Sequence, residues 1–174
     1  MISNSIQGKN IHLRLVEISD AEFIIELRLK KGKFLSDTDD NIEKQKEWIS
    51  QYKEREKNKK EYYFIIGGEG GKRLGTVRVY GIVDNSFCWG SWLVSNEAPK
   101  SSAIESAMLL YSFTFNKLKF KKSYFDVRKG NVSVARFHKR FGATVIKEDE
   151  ENYFFVLTRD SYVISAKKYN KYQI

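Results

Sequence analysis

The chain has 174 residues, of which 41% are hydrophobic, 14% aromatic and 30% charged, with a formal net charge of +9. That is the size of one domain, taken as residues 1–174, with enough apolar material for a packed core; an intrinsically disordered chain is excluded. No run reaches the roughly 18 apolar residues of a membrane span, the lone Cys88 excludes an internal disulfide, and two histidines, His12 and His138, are too few for a structural zinc site, so no metal is expected.

The start, MISNSIQGKN, lacks the apolar stretch of a secretion signal, and the expected location is the cytoplasm. Ile11, Leu13 and Leu15 alternate with His12 and Arg14 as in a first strand. Ser19 or Asp20 then caps a helix carrying Phe23, Ile24, Leu27 and Leu29. A very polar second helix is predicted over residues 41–60, with Trp48, Ile49 and Tyr52 as its apolar contacts. Three strands follow, at 62–66, 74–83 and 87–94. The GGEGG run at 67–71 reads as a hairpin turn, because no helix follows it as a phosphate loop requires.

After Pro99 the pattern changes. Residues 103–118 have helical periodicity, 123–127 form a strand, and 132–141 form a short helix stopped by Gly142. Two strands, 144–146 and 153–158, flank an acidic turn, and 160–169 reads as a final helix. The expected fold is α+β (mixed α/β): a mostly antiparallel sheet of six to seven strands flanked by helices, with parallel crossovers in its second half.

Charge is concentrated in one block. Residues 100–140 carry ten basic and two acidic side chains, while 1–99 and 141–174 are close to balanced. Such a block suits a polyanionic partner, whether nucleic acid, a phosphorylated cofactor or a membrane surface, and a solvated basic face is the plain alternative.

Two segments carry candidate chemistry. At the start of the helix after Pro99, Ser102 and Glu105 have capping-box spacing, Ser101, Ser102 and Ala103 are small, and Lys100 stands beside the open N–H groups of the helix end. These are the parts of an anion site. In the second segment Val134, Phe137, His138 and Phe141 share one helix face, so His138 points inward with the apolar residues. An inward histidine is either a satisfied core residue or a functional one.

The stretch from Leu93 to Ala143 resembles the acetyl-CoA-binding core of the Gcn5-related N-acetyltransferases (GNAT). The family's Q/R-x-x-G-x-G/A loop aligns with Ala98-Pro99-Lys100-Ser101-Ser102-Ala103, and its Asn-to-Gly helix with Asn131 through Gly142-Ala143. Phe115–Leu118 and Phe125–Asn131 also match the family's run. Ala98 stands for the usual Gln or Arg, and Ser101 for the first Gly. The resemblance implies that Leu93, Val94, Ser95, Lys100, Ser101, Ser102, Ala103, Ile104 and Asn131 bind acetyl-CoA. It implies a backbone N–H near Leu93–Ser95 as oxyanion donor, and His138, at the family's tyrosine position, as general acid. Glu17, Asp84 and Glu97 are the carboxylates to inspect as a base.

The same resemblance implies transfer to a primary amine, on a nucleotide-linked amino sugar of a surface-glycan pathway. Trp48, Tyr62, Tyr63, Tyr80, Trp89, Trp92 and the run Tyr153-Phe154-Phe155 are candidate stacking surfaces for such an acceptor. The branch acetylating protein N-termini, such as those of ribosomal proteins, is the alternative, sharing the opening I-x-L-R-L strand. A homodimer is compatible with either. A non-catalytic nucleic-acid-binding module is the alternative of another class, but the chain lacks a recognisable recognition helix or RNA-binding aromatic pair.

Overall fold

The computed structural model describes residues 5–172. Its core is an eight-stranded sheet in sequence order except at one end, β1-β2-β3-β4-β5-β6-β8-β7. The strands are β1 (Ser5–Gln7), β2 (His12–Leu15), β3 (Tyr62–Gly67), β4 (Arg73–Val83), β5 (Ser86–Val94), β6 (Lys122–Arg128), β7 (Thr144–Glu148) and β8 (Asn152–Thr158). The strand beyond the expected seven is β1, three residues long and too short for its alternation to stand out in the sequence. All pairings are antiparallel except β5 with β6.

Helices α1 (Ala21–Lys31) and α2 (Ile42–Lys57) pack on one face of the sheet, where Val16, Ile24, Ile49, Tyr52, Tyr63 and Ile65 form a compact cluster. The larger core lies on the other face, beneath α3 (Ser102–Tyr111), α4 (Val132–Arg140) and α5 (Arg159–Lys168). The helix expected over 103–118 is α3 plus a π-helical turn, Ser112–Lys117, where the Thr114 hydroxyl donates to the Leu110 carbonyl at 3.0 Å. Gly142, at φ 99°, ends α4 as expected, because a left-handed residue turns the chain out of the helix.

Local chemistry differs from expectation at the start of α1. Asp20 does not cap α1 with its side chain; it is buried, bonded by Arg14 in a two-pronged pair at 2.8 Å, and accepts from the Glu17 N–H. Burial alone would raise its carboxyl pKa, but these hydrogen bonds and Arg73 hold it below the usual carboxylate range. Leu29 is exposed rather than part of the buried face of α1. Among the described residues no helix is long and apolar enough to cross a membrane, and no group of three or more His, Cys, Asp or Glu side chains is placed to hold a metal.

The basic block of residues 100–140 is not gathered at one place. Lys117, Lys119, Lys121 and Lys122 lie at the start of β6, whereas Arg128 and Lys129 lie at its end. Seven residues of strand separate the two groups by roughly 20 Å.

Candidate active site

The sheet opens where β5 and β6, its only parallel pair among the described residues, part. β5 and β6 are joined at Ser86–Lys122 and Phe87–Ser123, and from there Trp89–Val94 and Phe125–Arg128 diverge into a wedge. A bulge in β5 shapes one wall. Thr76 pairs with Leu93 but Arg78 with Gly90, so Ser91 is an extra residue, held at φ 46° with its carbonyl accepting from the Thr76 hydroxyl at 2.7 Å. Trp89 and Trp92, three apart, would face opposite ways in a regular strand. The bulge puts both against α3: Trp89 donates to the Tyr111 hydroxyl at 2.9 Å and Trp92 to Ser106 at 3.0 Å. Their rings lie 5.1 Å apart.

His138 stands under these indoles. Its ring centroid is 4.3 Å from Phe125, 5.2 Å from Trp89 and 5.9 Å from Trp92, and the residue is 3% exposed. Burial among aromatic rings lowers its pKa to about 3, and its Nδ1 has no hydrogen-bond partner. His138 is therefore a neutral imidazole at any ordinary pH, which bears directly on how it could act. Its titration also predicts acid sensitivity. The unfolded chain takes up a proton near pH 6.5 and the folded one does not until about 3, so stability falls as pH drops through that window. At pH 5 the loss from this residue is about 2 kcal/mol relative to pH 8. Urea melts of the wild type at both values should show it, and His138→Phe should remove most of the difference.

A cleft runs through the wedge. One cavity of about 340 Å3 joins Trp89, Trp92, Phe125, Asn131 and His138 to Tyr80, Arg78 and Arg28 on the α1–α2 side. A second, of about 290 Å3, continues past Trp48, Tyr63, Asn41 and Gln45. The connection between α1 and α2 roofs this region: Phe34 packs so closely over Gly130 that a Cβ there would meet its ring at 3.1 Å.

The expected anion site lies at the end of β5. Leu93, Val94 and Ser95 lead through a turn into α3, and Ser95 donates its N–H to the Leu74 carbonyl at 2.7 Å. The N-cap is Ser101, not Ser102, and it makes no side-chain cap bond. The capping box does not form because Glu105 is turned away. Its carboxylate accepts from the Asn10 and Ile11 N–H groups and the Asn10 amide, at 2.7, 3.2 and 2.9 Å. Ser102 is fully buried, its N–H donates to the Pro99 carbonyl at 2.9 Å, and its hydroxyl has no partner. Among the described residues the N–H groups of Ala103 and Ile104 have no acceptor, and both residues, with Ser101 and Lys100, reach the surface. A phosphate fits this end: open donors, a helix dipole and one cation, with no bulky side chain in the way. Asn131 stands apart from it, as the N-cap of α4 lining the cleft.

Several sequence candidates fall outside the cleft. Glu17 and Glu97 are exposed and pair with Lys53 and Lys72, and Asp84 sits in the β4–β5 turn. Tyr62 is buried in the core against Phe113. Tyr153 packs under Lys129 and Lys139, and Phe154 lies near Lys147 on the outer side of β8. Trp48, Tyr63, Tyr80, Trp89 and Trp92 do line the cleft. Arg28 and Arg78 line the cleft as well, and their signal is tertiary: they lie far apart in sequence on elements that meet only in the fold.

A family model described as an acetyltransferase (GNAT) domain matches residues 10–144. The chain is 26% identical over 149 residues to the Probable N-acetyltransferase YjcK of Bacillus subtilis (strain 168), covering 79% of this chain and 82% of that protein. Among solved structures, that of apo FdhC, a nucleotide-linked sugar GNAT, superposes with a TM-score of 0.91 at 40% identity, covering 99% of this chain and 100% of that one. Ribosomal-protein-S5-alanine acetyltransferase from Vibrio fischeri superposes with a TM-score of 0.79 at 15% identity, covering 92% and 99%, a likeness in fold alone.

Proposed function

The chain belongs to the GNAT family of acetyltransferases, and from that premise we propose that it acetylates the primary amine of a nucleotide-linked amino sugar, using acetyl-CoA. Residues 1–174 are then one catalytic domain acting in the cytoplasm. The observation that carries the acceptor is the two-part cleft, which leads from the wedge to an aromatic and arginine-lined groove on the opposite sheet face. The relative described as a nucleotide-linked sugar GNAT supports the same class.

Acetyl-CoA supplies an activated acyl thioester; an amide forms, a thiol leaves, and the amine's proton must pass away while the sulfur gains one. In this reading Lys100, Ser101 and the N–H groups of Ala103 and Ile104 hold phosphate, with Ser102 setting the tight turn beneath them. Leu93, Val94 and Ser95 border the acyl end, where an N–H freed by the wedge steadies the developing oxyanion. Asn131 lines the acceptor side. His138 carries no charge beforehand, so it serves as a hydrogen-bond donor to the sulfur as charge develops there.

The test is thiol release from acetyl-CoA with three acceptor classes: amino sugar nucleotides, N-terminal peptides and polyamines. Turnover with an amino sugar nucleotide at a kcat/KM at least roughly 100-fold above the others is expected, since a built polar site discriminates strongly against a ligand that leaves its groups unpaired. Turnover with a peptide and none with any sugar nucleotide would replace this reading with protein N-terminal acetylation.

A further inference from the structure

The junction of the two cavities is formed by Arg28, Ser36, Arg78 and Ser91, which line both. Neither arginine has a part in acetyl transfer itself, yet each is held by its own set of bonds. Arg78 donates from Nε to Glu61 at 2.5 Å, and its guanidinium lies 5.0 Å from the Trp48 ring and 4.9 Å from the Tyr80 ring. Glu61 is buried, and its other oxygen accepts from Arg55 at 2.7 Å. Arg28 donates from Nε to the Thr38 hydroxyl at 2.9 Å and from Nη2 to the carbonyl and hydroxyl of Ser36 at 3.1 Å, and it neighbours the Tyr63 hydroxyl.

This anchoring uses Nε in both side chains. Among the described residues, both terminal nitrogens of Arg78 have no hydrogen-bond acceptor, and Arg28 meets the Tyr63 hydroxyl beside them. Asp37, Asp39 and Asp126 line the same cavities as the two arginines, but among the described residues none is hydrogen-bonded or ion-paired to either, and Asp39 is tied to Lys44. Two fixed guanidiniums, one of them with free donors, at the narrow point between two pockets, match an anion that links two larger parts. Guanidinium is the side chain best suited to planar, two-pronged recognition of phosphate oxygens.

We propose that Arg28 and Arg78 form a diphosphate subsite, with the nucleoside lying along Trp48 and Gln45 and the sugar in the wedge below Trp89 and Trp92. The inference rests on the acceptor class proposed above and adds to it the residues that select a nucleoside diphosphate over an uncharged amine. Glu61 is a positioning residue here: it fixes the plane of Arg78 while leaving its outer donors free.

The experiment is calorimetric titration of the full chain with uridine and thymidine diphosphates, the matching monophosphates and nucleosides, and acetyl-CoA. Diphosphates should bind at least about 10-fold more tightly than monophosphates, since each terminal charge-assisted contact is among the strong ones. Arg78→Met and, as the milder variant that keeps the charge, Arg28→Lys should each weaken diphosphate binding by roughly 10- to 100-fold and leave acetyl-CoA binding within twofold. Equal binding of diphosphate and nucleoside, or variants that bind diphosphate normally, overturns the subsite even if an amino sugar nucleotide proves to be the acceptor. Loss of diphosphate binding when acetyl-CoA saturates the protein would assign those phosphates to the α3 site instead, and also overturns it. Absence of both nucleotide binding and sugar-nucleotide turnover would remove the acceptor reading itself.

Discussion

Replacing His138 with phenylalanine should lower kcat by roughly 100-fold, the usual loss when one donor to developing charge is removed, with acetyl-CoA binding within about twofold. Phenylalanine suits the site because Phe125, Phe137, Phe155, Trp89 and Trp92 already surround the imidazole. The buried Nδ1, without a partner, disappears with the substitution, so the folded protein should not suffer. A second readout separates catalysis from packing. Because burial holds the imidazole pKa near 3, the wild-type kcat profile should show no inflection from His138 between about pH 5.5 and 8. An inflection near 6.5 that vanishes in His138→Phe would mean that substrate binding opens this pocket to water. Normal kcat in the variant would return His138 to the core.

The largest effect on stability is expected at Glu105. Replacing it with alanine should cost about 3 kcal/mol, because the buried Ile11 N–H and the partly buried N–H and side-chain amide of Asn10 lose their acceptor together. For a chain of this size that lowers the melting temperature by roughly 6–12 °C. Glu105→Gln should fall between, since an amide offers one oxygen where the carboxylate offers two. The loss should appear as weaker docking of the β1–β2 connection on α3, with amide exchange at Asn10 and Ile11 rising first. A melting temperature unchanged in Glu105→Ala would show that water replaces the carboxylate at no cost.

Glu105 also shows where sequence spacing misleads. Ser102 and Glu105 have the separation of a capping box, but a local motif competes with whatever the rest of the fold presents. Here the β1–β2 connection brings the N–H groups of Asn10 and Ile11 to the carboxylate, and the buried Ile11 donor without a partner would cost more than an open helix end that water or a ligand can reach. Asp20 follows the same logic: it gives up capping α1 to hold Arg14.

The elements themselves were legible because hydrophobic period is a local quantity. Seven strands and five helices can be placed from alternation, helical spacing, Gly142 and the turn at 67–71, and the loop and helix from Ala98 to Ala143 carry the family resemblance. The proposed acetyl-CoA site lies within that continuous stretch, so the order of residues alone sets most of it. The cleft proposed for the acceptor was not legible. Trp89 and Trp92 face the same way because one residue, Ser91, is inserted against β4, and that register exists only once the strands pair. Arg28 and Arg78 become neighbours of one cleft because α1 packs across the sheet. The imidazole of His138 is neutral because rings from β5, β6, α4 and β8 exclude water from it. Chain order therefore determined the family and the place of the loop that resembles its donor-binding motif. Register, burial and long-range packing decided the charge state of His138 and the shape of the cleft, because each depends on groups that approach one another only when the chain is folded.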